Sequence, residues 1–177
     1  MKKIFMRVTI GLVLAIAALL IFASTKPDTF RVERSVVIAS TPEKIVPLIN
    51  NFHRWASWSP YEKLDPAMKR TFGGDSAGVG AVYEWASNSH AGAGRMEILE
   101  AAPLLIKIKL DFLKPFEGHN TAEFLLQPEG SGTKVTWAVY GPSPLLSKVM
   151  GIFFDMDHLI GKDFESGLEN LKKIAES

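Results

Sequence analysis

From residue 69 to residue 140 the chain alternates apolar and polar side chains in segment after segment, and one long amphipathic helix follows. The cleanest stretch is "LLIKIKLDF", with Ile106, Ile108, Leu110 and Phe112 on one face against Lys107, Lys109 and Asp111 on the other. "GAVYEWAS" sets Ala81, Tyr83 and Trp85 against Val82, Glu84 and Ala86, and "RMEILEAAP" sets Met96 and Ile98 against Glu97 and Leu99. "HNTAEFLLQPEGSGTKVTWAVYG" reads as a hairpin, with Ala122, Phe124 and Leu126 in phase with Val135, Trp137 and Val139. Alternation broken by short Gly/Pro turns predicts an antiparallel sheet with one covered face. "SPLLSKVMGIFFDMDHLIGKDFESGLENLKKIAE" then places Ile152, Phe153, Met156, Leu159, Ile160, Phe164, Leu168, Leu171 and Ile174 at steps of three and four, one helical stripe over six turns. A single helix has to cover a wide sheet, so apolar surface is left over. Side chains fill it, or it stays as a cavity.

Ahead of the sheet, "FRVERSVVIAS" is a strand with Phe30, Val32 and Arg34 on one face. "TPEKIVPLINN" is a short helix with Thr41 as its N-cap candidate, Pro42 at the first helical position and Ile45, Leu48 and Ile49 inward. "FHRWASWSPYEKLDP" spaces Trp55, Trp58 and Tyr61 three apart, while Pro60 and Pro66 forbid a long helix. A second short helix over about 52–57 turns Phe52, Trp55 and Trp58 to one side.

The first residues, "MKKIFMRVTIGLVLAIAALLIFASTKPD", belong to another class. Lys2, Lys3 and Arg7 precede an uncharged run from Val8 to Ala23, and counted from Ile4 to Ala23 the apolar segment is long enough to cross about 30 Å of hydrocarbon as a helix. It reads as a retained signal anchor or as a cleaved signal peptide. Cleavage after Ala23 would leave Ile21 at the −3 site, which favours retention. The positive flank stays cytoplasmic and the rest crosses, which expects a single-pass inner-membrane protein with its domain on the periplasmic side, or a periplasmic or secreted domain after cleavage. Expected boundaries are residues 1–25 for this segment, 26–29 for a linker and 30–177 for the domain. Three of the 20 basic residues lie in 1–25 with no acid, so the remainder has 17 bases against 19 acids. Such a domain has no basic field for nucleic acid. The absence of cysteine excludes disulfides, thiolate metal sites and cysteine nucleophiles.

Few polar constellations point to chemistry. Asp155, Asp157 and His158 in "DMDH" would splay around a helix, with only Asp155 and His158 sharing a face, and no metal site is expected there. The four histidines, His53, His90, His119 and His158, show no zinc-binding spacing. His119, just before a strand, is the one candidate general base. "GGDSAGVG" and "AGAG" precede strands and read as turns, not phosphate cradles. Glu84, Glu97 and Glu123 lie opposite the apolar residues of their strands and read as solvent-facing; turned inward, one would be a desolvated acid.

The order strand, short helices, six strands, long helix brings in a family. "RVERSVVIASTPEKIVPLINNFHRWASWSPYEKLDPAMK" and "IGKDFESGLENLKKIAE" resemble the START-like (SRPBCC) superfamily, in its bacterial polyketide cyclase/dehydrase-like branch, over residues 30–176. The resemblance implies an α+β helix-grip fold: about seven antiparallel strands wrapped around the C-terminal helix, with a hydrophobic pocket between. A pocket of this kind encloses about 300–1,000 Å³. Candidates to line it are Trp58, Tyr61, Tyr83, Trp85, Ile108, Phe112, Phe124 and Trp137 from the sheet and its end, and Phe153, Met156, Ile160 and Phe164 from the helix. Trp55 and Trp58 read first as the plug of the barrel end, with Tyr61 at the rim. The leading expectation is a membrane-tethered module that binds or carries an apolar small molecule or lipid, without cofactor and without a visible catalytic constellation. A polyketide cyclase/dehydratase-like enzyme and a co-chaperone-like interaction domain are the alternatives, since the superfamily's fold does not fix its function.

Overall fold

In a computed structural model describing residues 2–87 and 91–177, the alternating segments form one seven-stranded antiparallel sheet. The strands are β1 (Thr29–Ile38), β2 (Lys69–Gly74), β3 (Ala81–Ala86), β4 (Ala93–Ala102), β5 (Leu105–Lys114), β6 (Gly118–Glu129) and β7 (Gly132–Pro142). Their spatial order, β1-β7-β6-β5-β4-β3-β2, is a meander from β2 to β7 with β1 paired to the far side of β7. Helix α1 is Lys2–Ser24, α2 is Pro42–Ile49, α3 is Leu145–Phe153 and α4 is Met156–Ala175. Two 3-10 helices, Phe52–Ser57 and Pro60–Lys63, join α2 to β2.

Register follows the alternation. Ile108 faces Ala122, Phe124 faces Trp137 and Leu126 faces Val135, all buried on the inner side. Two single-residue slips in the β4–β5 ladder skip Leu99 and Leu113, and each added residue increases local twist, so the sheet curves. The chain forms two compact units: residues 1–30 with 142–156, and residues 31–141 with 157–177. In the larger unit α4 packs Phe164, Leu168 and Leu171 inward. It approaches closely at Gly167, where a Cβ would stand 2.8 Å from the Trp137 ring and 3.0 Å from Pro60. Arg34 of β1 ties down the start of α4 through Asp157 at 3.0 Å and Glu165 at 2.9 Å.

The structure departs from expectation at the C-terminal helix, which is broken. Phe154 is extended (φ −125, ψ 127), and Asp155 precedes Met156, the first residue of α4. Two aromatic residues and an aspartate are poor continuations of a helix, and aspartate suits the position before a new one. Asp155 therefore lies just before α4 rather than on a continuous helix. Thr41 takes the N-cap position of α2, but its side chain makes no cap bond to the helix. His90 lies outside the described residues.

Asp111 also differs. Its place on the polar side of β5 implied exposure, yet the residue is 7% exposed. Cross-strand neighbours Arg95 and His119 enclose it, the His119 ring donates to it from Nδ1 at 2.8 Å, and Lys109 Nζ stands 3.0 Å away. Burial works to push the Asp111 carboxyl up, but the His119 and Lys109 contacts outweigh it and hold the pKa below the ordinary value. A carboxyl so depressed stabilises the fold above its unfolded pKa of about 3.9, and that contribution is lost as pH falls through the lower folded value. Unfolding midpoints measured from neutral pH downward should fall more steeply below about pH 4 for the wild type than for Asp111→Asn. Parallel curves would contradict the assignment.

Candidate functional site

The inner face of the sheet carries two aromatic groups of different character. The first is closed. Trp58 is 0% exposed, and its indole N–H donates to the Leu48 carbonyl at 2.9 Å, while Trp55 donates to Ile49 at 2.8 Å. Their rings lie 4.9 Å apart and meet Phe124 and Trp137 edge-on at 5.5–6.3 Å. Trp137 is sandwiched between Phe124 at 5.1 Å and Phe164 at 4.1 Å, both stacked. These rings occupy the space between the sheet, α4 and the 3-10 helices. Asn170 of α4 donates to the Trp58 carbonyl at 3.2 Å, fastening the plug to the helix. Ile108 lies fully buried on the same side of the sheet.

The second group is a half-open shelf across β2, β3, β4 and β5. Phe72 meets Tyr83 at 5.2 Å, Tyr83 stacks on Trp85 at 6.2 Å, and Trp85 meets Phe112 edge-on at 5.8 Å. Phe112 is 38% exposed and Phe72 39%, so the shelf is wet at both ends. Trp85 lies flat because its cross-strand partner is Gly94: a Cβ there would stand 2.3 Å from the indole ring. The indole N–H is held by the Ala91 carbonyl at 2.9 Å. Leu110 and Asn120, a facing pair, continue this inner face at half-buried depth.

Polar groups border the shelf. Glu62, its side chain 8% exposed, accepts hydrogen bonds from the Tyr83 hydroxyl and from Arg70 Nε, each at 2.6 Å. The Arg70 guanidinium also donates to the Glu62 and Met68 carbonyls, at 2.8 and 2.7 Å. Burial, then the bond to Glu62, raises the Tyr83 phenol, which keeps it a donor. Tyr61 sits edge-on to Trp137 at 6.1 Å, and burial followed by the charge of Asp163 raises its phenol too. The Asp163 carboxyl of α4 is itself raised by desolvation. Ile160 stands half-buried one turn before it.

The sequence candidates therefore divide. Trp58, Phe124, Trp137, Phe164 and Ile108 belong to the closed interior; Tyr83, Trp85 and Phe112 form the shelf; Tyr61 lies against Trp137, and Ile160 is half-buried on α4. Phe153 and Met156, 65% and 44% exposed, fall in the smaller unit; the helix break separates Phe153 from the stripe that packs on the sheet, and Met156 is the exposed first residue of α4. His119 is on the outer face, bonded to Asp111, with the sheet between it and the shelf. Glu84, Glu97 and Glu123 also lie on the outer face, paired with Arg95, Arg95 and Arg31. Glu62, Arg70 and Asp163 were not anticipated. The signal for Arg70 was present, since a cation two residues before Phe72 on a strand shares its face. Among the described residues no three His, Asp or Glu side chains gather as metal ligands.

A family model described as polyketide cyclase / dehydrase and lipid transport matches residues 29–176. Solved structures share the fold at low identity. Protein CV1439 from Chromobacterium violaceum is 17% identical, with a TM-score of 0.57 over 85% of this chain and 99% of its own. The di-domain ARO/CYC protein StfQ from the steffimycin biosynthetic pathway is 12% identical, with a TM-score of 0.65 over 84% of this chain and 51% of its own. The Aha1 dimer from Colwellia psychrerythraea is 15% identical, with a TM-score of 0.55 over 83% of this chain and 96% of its own. No curated protein matches the sequence.

Proposed function

The chain belongs to the polyketide cyclase / dehydrase and lipid transport family, and from that premise we propose that it binds a hydrophobic small molecule, lipid-like or polycyclic, on the inner face of its sheet. The observation that carries this reading is the Tyr83–Trp85–Phe112 shelf, an apolar inner surface with water at its ends rather than a sealed core. Flat indole and phenyl surfaces suit a planar or extended apolar ligand, which gains mainly by burying its own surface. The polar atoms bordering the shelf through Glu62 and Arg70 are already satisfied, so they shape the site more than they offer chemistry. Helix α1 is long and apolar enough to cross a membrane or to act as a signal sequence. We read it as an anchor whose lysines stay in the cytoplasm, keeping the domain on the far side.

A cyclase or dehydratase reading draws on one observation. Asp163 is a half-buried carboxyl raised by desolvation beside the Tyr61 phenol, the environment a proton donor needs. The binding reading rests on more surface. Its test is titration with an apolar fluorescent probe such as anilinonaphthalene sulfonate. Trp85→Ala should weaken binding about tenfold, the loss of one central aromatic contact, while Glu84→Gln on the outer face leaves it unchanged. Equal affinities for wild type and Trp85→Ala would remove the shelf from the reading.

A further inference from the structure

In the smaller unit, α3 lies against α1. Its sequence, "LLSKVMGIF", holds one charge, and that charge is spent within the unit: Lys148 Nζ is 2.5 Å from Asp28. The Asp28 carbonyl also accepts from the Ser143 N–H at 2.7 Å. Asp28 lies four residues beyond the last residue of α1, so these two bonds hold the start of α3 at the level where α1 ends. Just past that end, the Lys26 ammonium lies over the Phe22 ring at 4.7 Å, the posture of a cation bordering an apolar layer.

Two sides of α3 differ sharply. Lys148, Val149 and Ile152 are half-buried, whereas Leu146, Met150 and Phe153, at i, i+4 and i+7, are exposed along one stripe. Phe154 extends the same apolar exposure just beyond the helix, and no charge follows Lys148 until Asp155. A contiguous apolar stripe on a soluble surface marks a contact. Here the neighbouring element is a helix long and apolar enough to cross a membrane, its side chains exposed along most of its length, so both open toward the same kind of medium.

We propose that α3 is a second membrane contact: it lies in the headgroup/acyl boundary beside the outer end of α1, with Leu146, Met150 and Phe153 among the lipid chains. The inference rests on α1 being a retained anchor. Helices of this kind seat their apolar face about 5–10 Å into the boundary. Lipid is the occupant that fits, because α1 already commits this unit to the bilayer and the stripe continues that surface. The docked helix gives the tether a second point of attachment, so the smaller unit is held at the bilayer surface in a fixed orientation.

The cysteine-free chain makes the test direct. Single variants Met150→Cys and Phe153→Cys of the full chain are labelled with a nitrobenzoxadiazole fluorophore and reconstituted into vesicles of phosphatidylcholine and phosphatidylglycerol, with Leu12→Cys in α1 and Ser166→Cys in α4 as references. Labels at 150 and 153 should emit to the blue of the label at 166. Lipids carrying a nitroxide near the carbonyl end of the acyl chain should quench them severalfold more strongly. A water-exposed label at 153 beside a lipid-exposed label at 12 overturns the proposal and leaves the anchor standing. A label at 153 that is shielded from water but not quenched by lipid overturns it in favour of a protein partner, such as a second copy. Water exposure at both 12 and 153 removes the anchor and the proposal together.

Discussion

Trp58→Ala should lower the unfolding free energy by about 3–5 kcal/mol, the range for emptying a fully buried large side chain. The indole is 0% exposed, bonded to the Leu48 carbonyl, and packed on three other aromatic rings. Removing it opens a cavity bounded by Trp55, Phe124 and Trp137. These sit on three different elements (a 3-10 helix, β6 and β7) and cannot collapse together. Trp58→Phe keeps most of the volume but leaves the Leu48 carbonyl without its donor, and should cost about 1–3 kcal/mol. Thermal unfolding followed by near-ultraviolet dichroism separates the cases. A loss under about 1 kcal/mol for Trp58→Ala, together with lost ligand binding, would move this residue from the plug to the recognition surface.

Glu62→Ala should be the next most damaging change, at about 2–3 kcal/mol. Breaking a buried ion pair by removing one partner costs about 3–5 kcal/mol, discounted here because Arg70 is a quarter exposed and regains some water. The variant leaves the Tyr83 hydroxyl and the Arg70 Nε without their acceptor next to the shelf. Replacing both charges, Glu62→Leu with Arg70→Met, should recover part of the loss, since no unpaired charge is then stranded, although the Tyr83 hydroxyl still lacks its acceptor. A double variant worse than Glu62→Ala would contradict this account of the pair.

Much of the fold was readable because strand phase and burial are the same information here. Ile106, Ile108, Phe124 and Trp137 alternate in sequence and lie inward in space. The tryptophan stripe was readable for the same reason: three-residue spacing in a segment closed by Pro60 demands a tight helix, and 3-10 geometry supplies it over Phe52–Ser57. What escaped depends on pairing between distant segments. Nothing local to "KLDF" says that Asp111 meets Arg95 and His119, because those neighbours come from β4 and β6. Glu62 likewise reads as a loop residue until β2 and β3 bring Arg70 and Tyr83 to it. The helix break at Phe154 was hidden by the continuing apolar period, which persists through the break although the backbone does not.

The shelf and the closed cluster make separable claims, and the four tryptophans report on both. Trp55, Trp58 and Trp137 are buried, while Trp85 stands on the shelf. Fluorine NMR of the full chain labelled with fluorotryptophan, titrated with a polycyclic aromatic phenol, therefore tests the central claim at single-residue resolution. The account predicts a saturable shift of the Trp85 resonance, assigned by its absence in Trp85→Phe, with the other three nearly still. Movement of the three interior resonances while Trp85 stays fixed, or no saturable shift at any of the four, would contradict it.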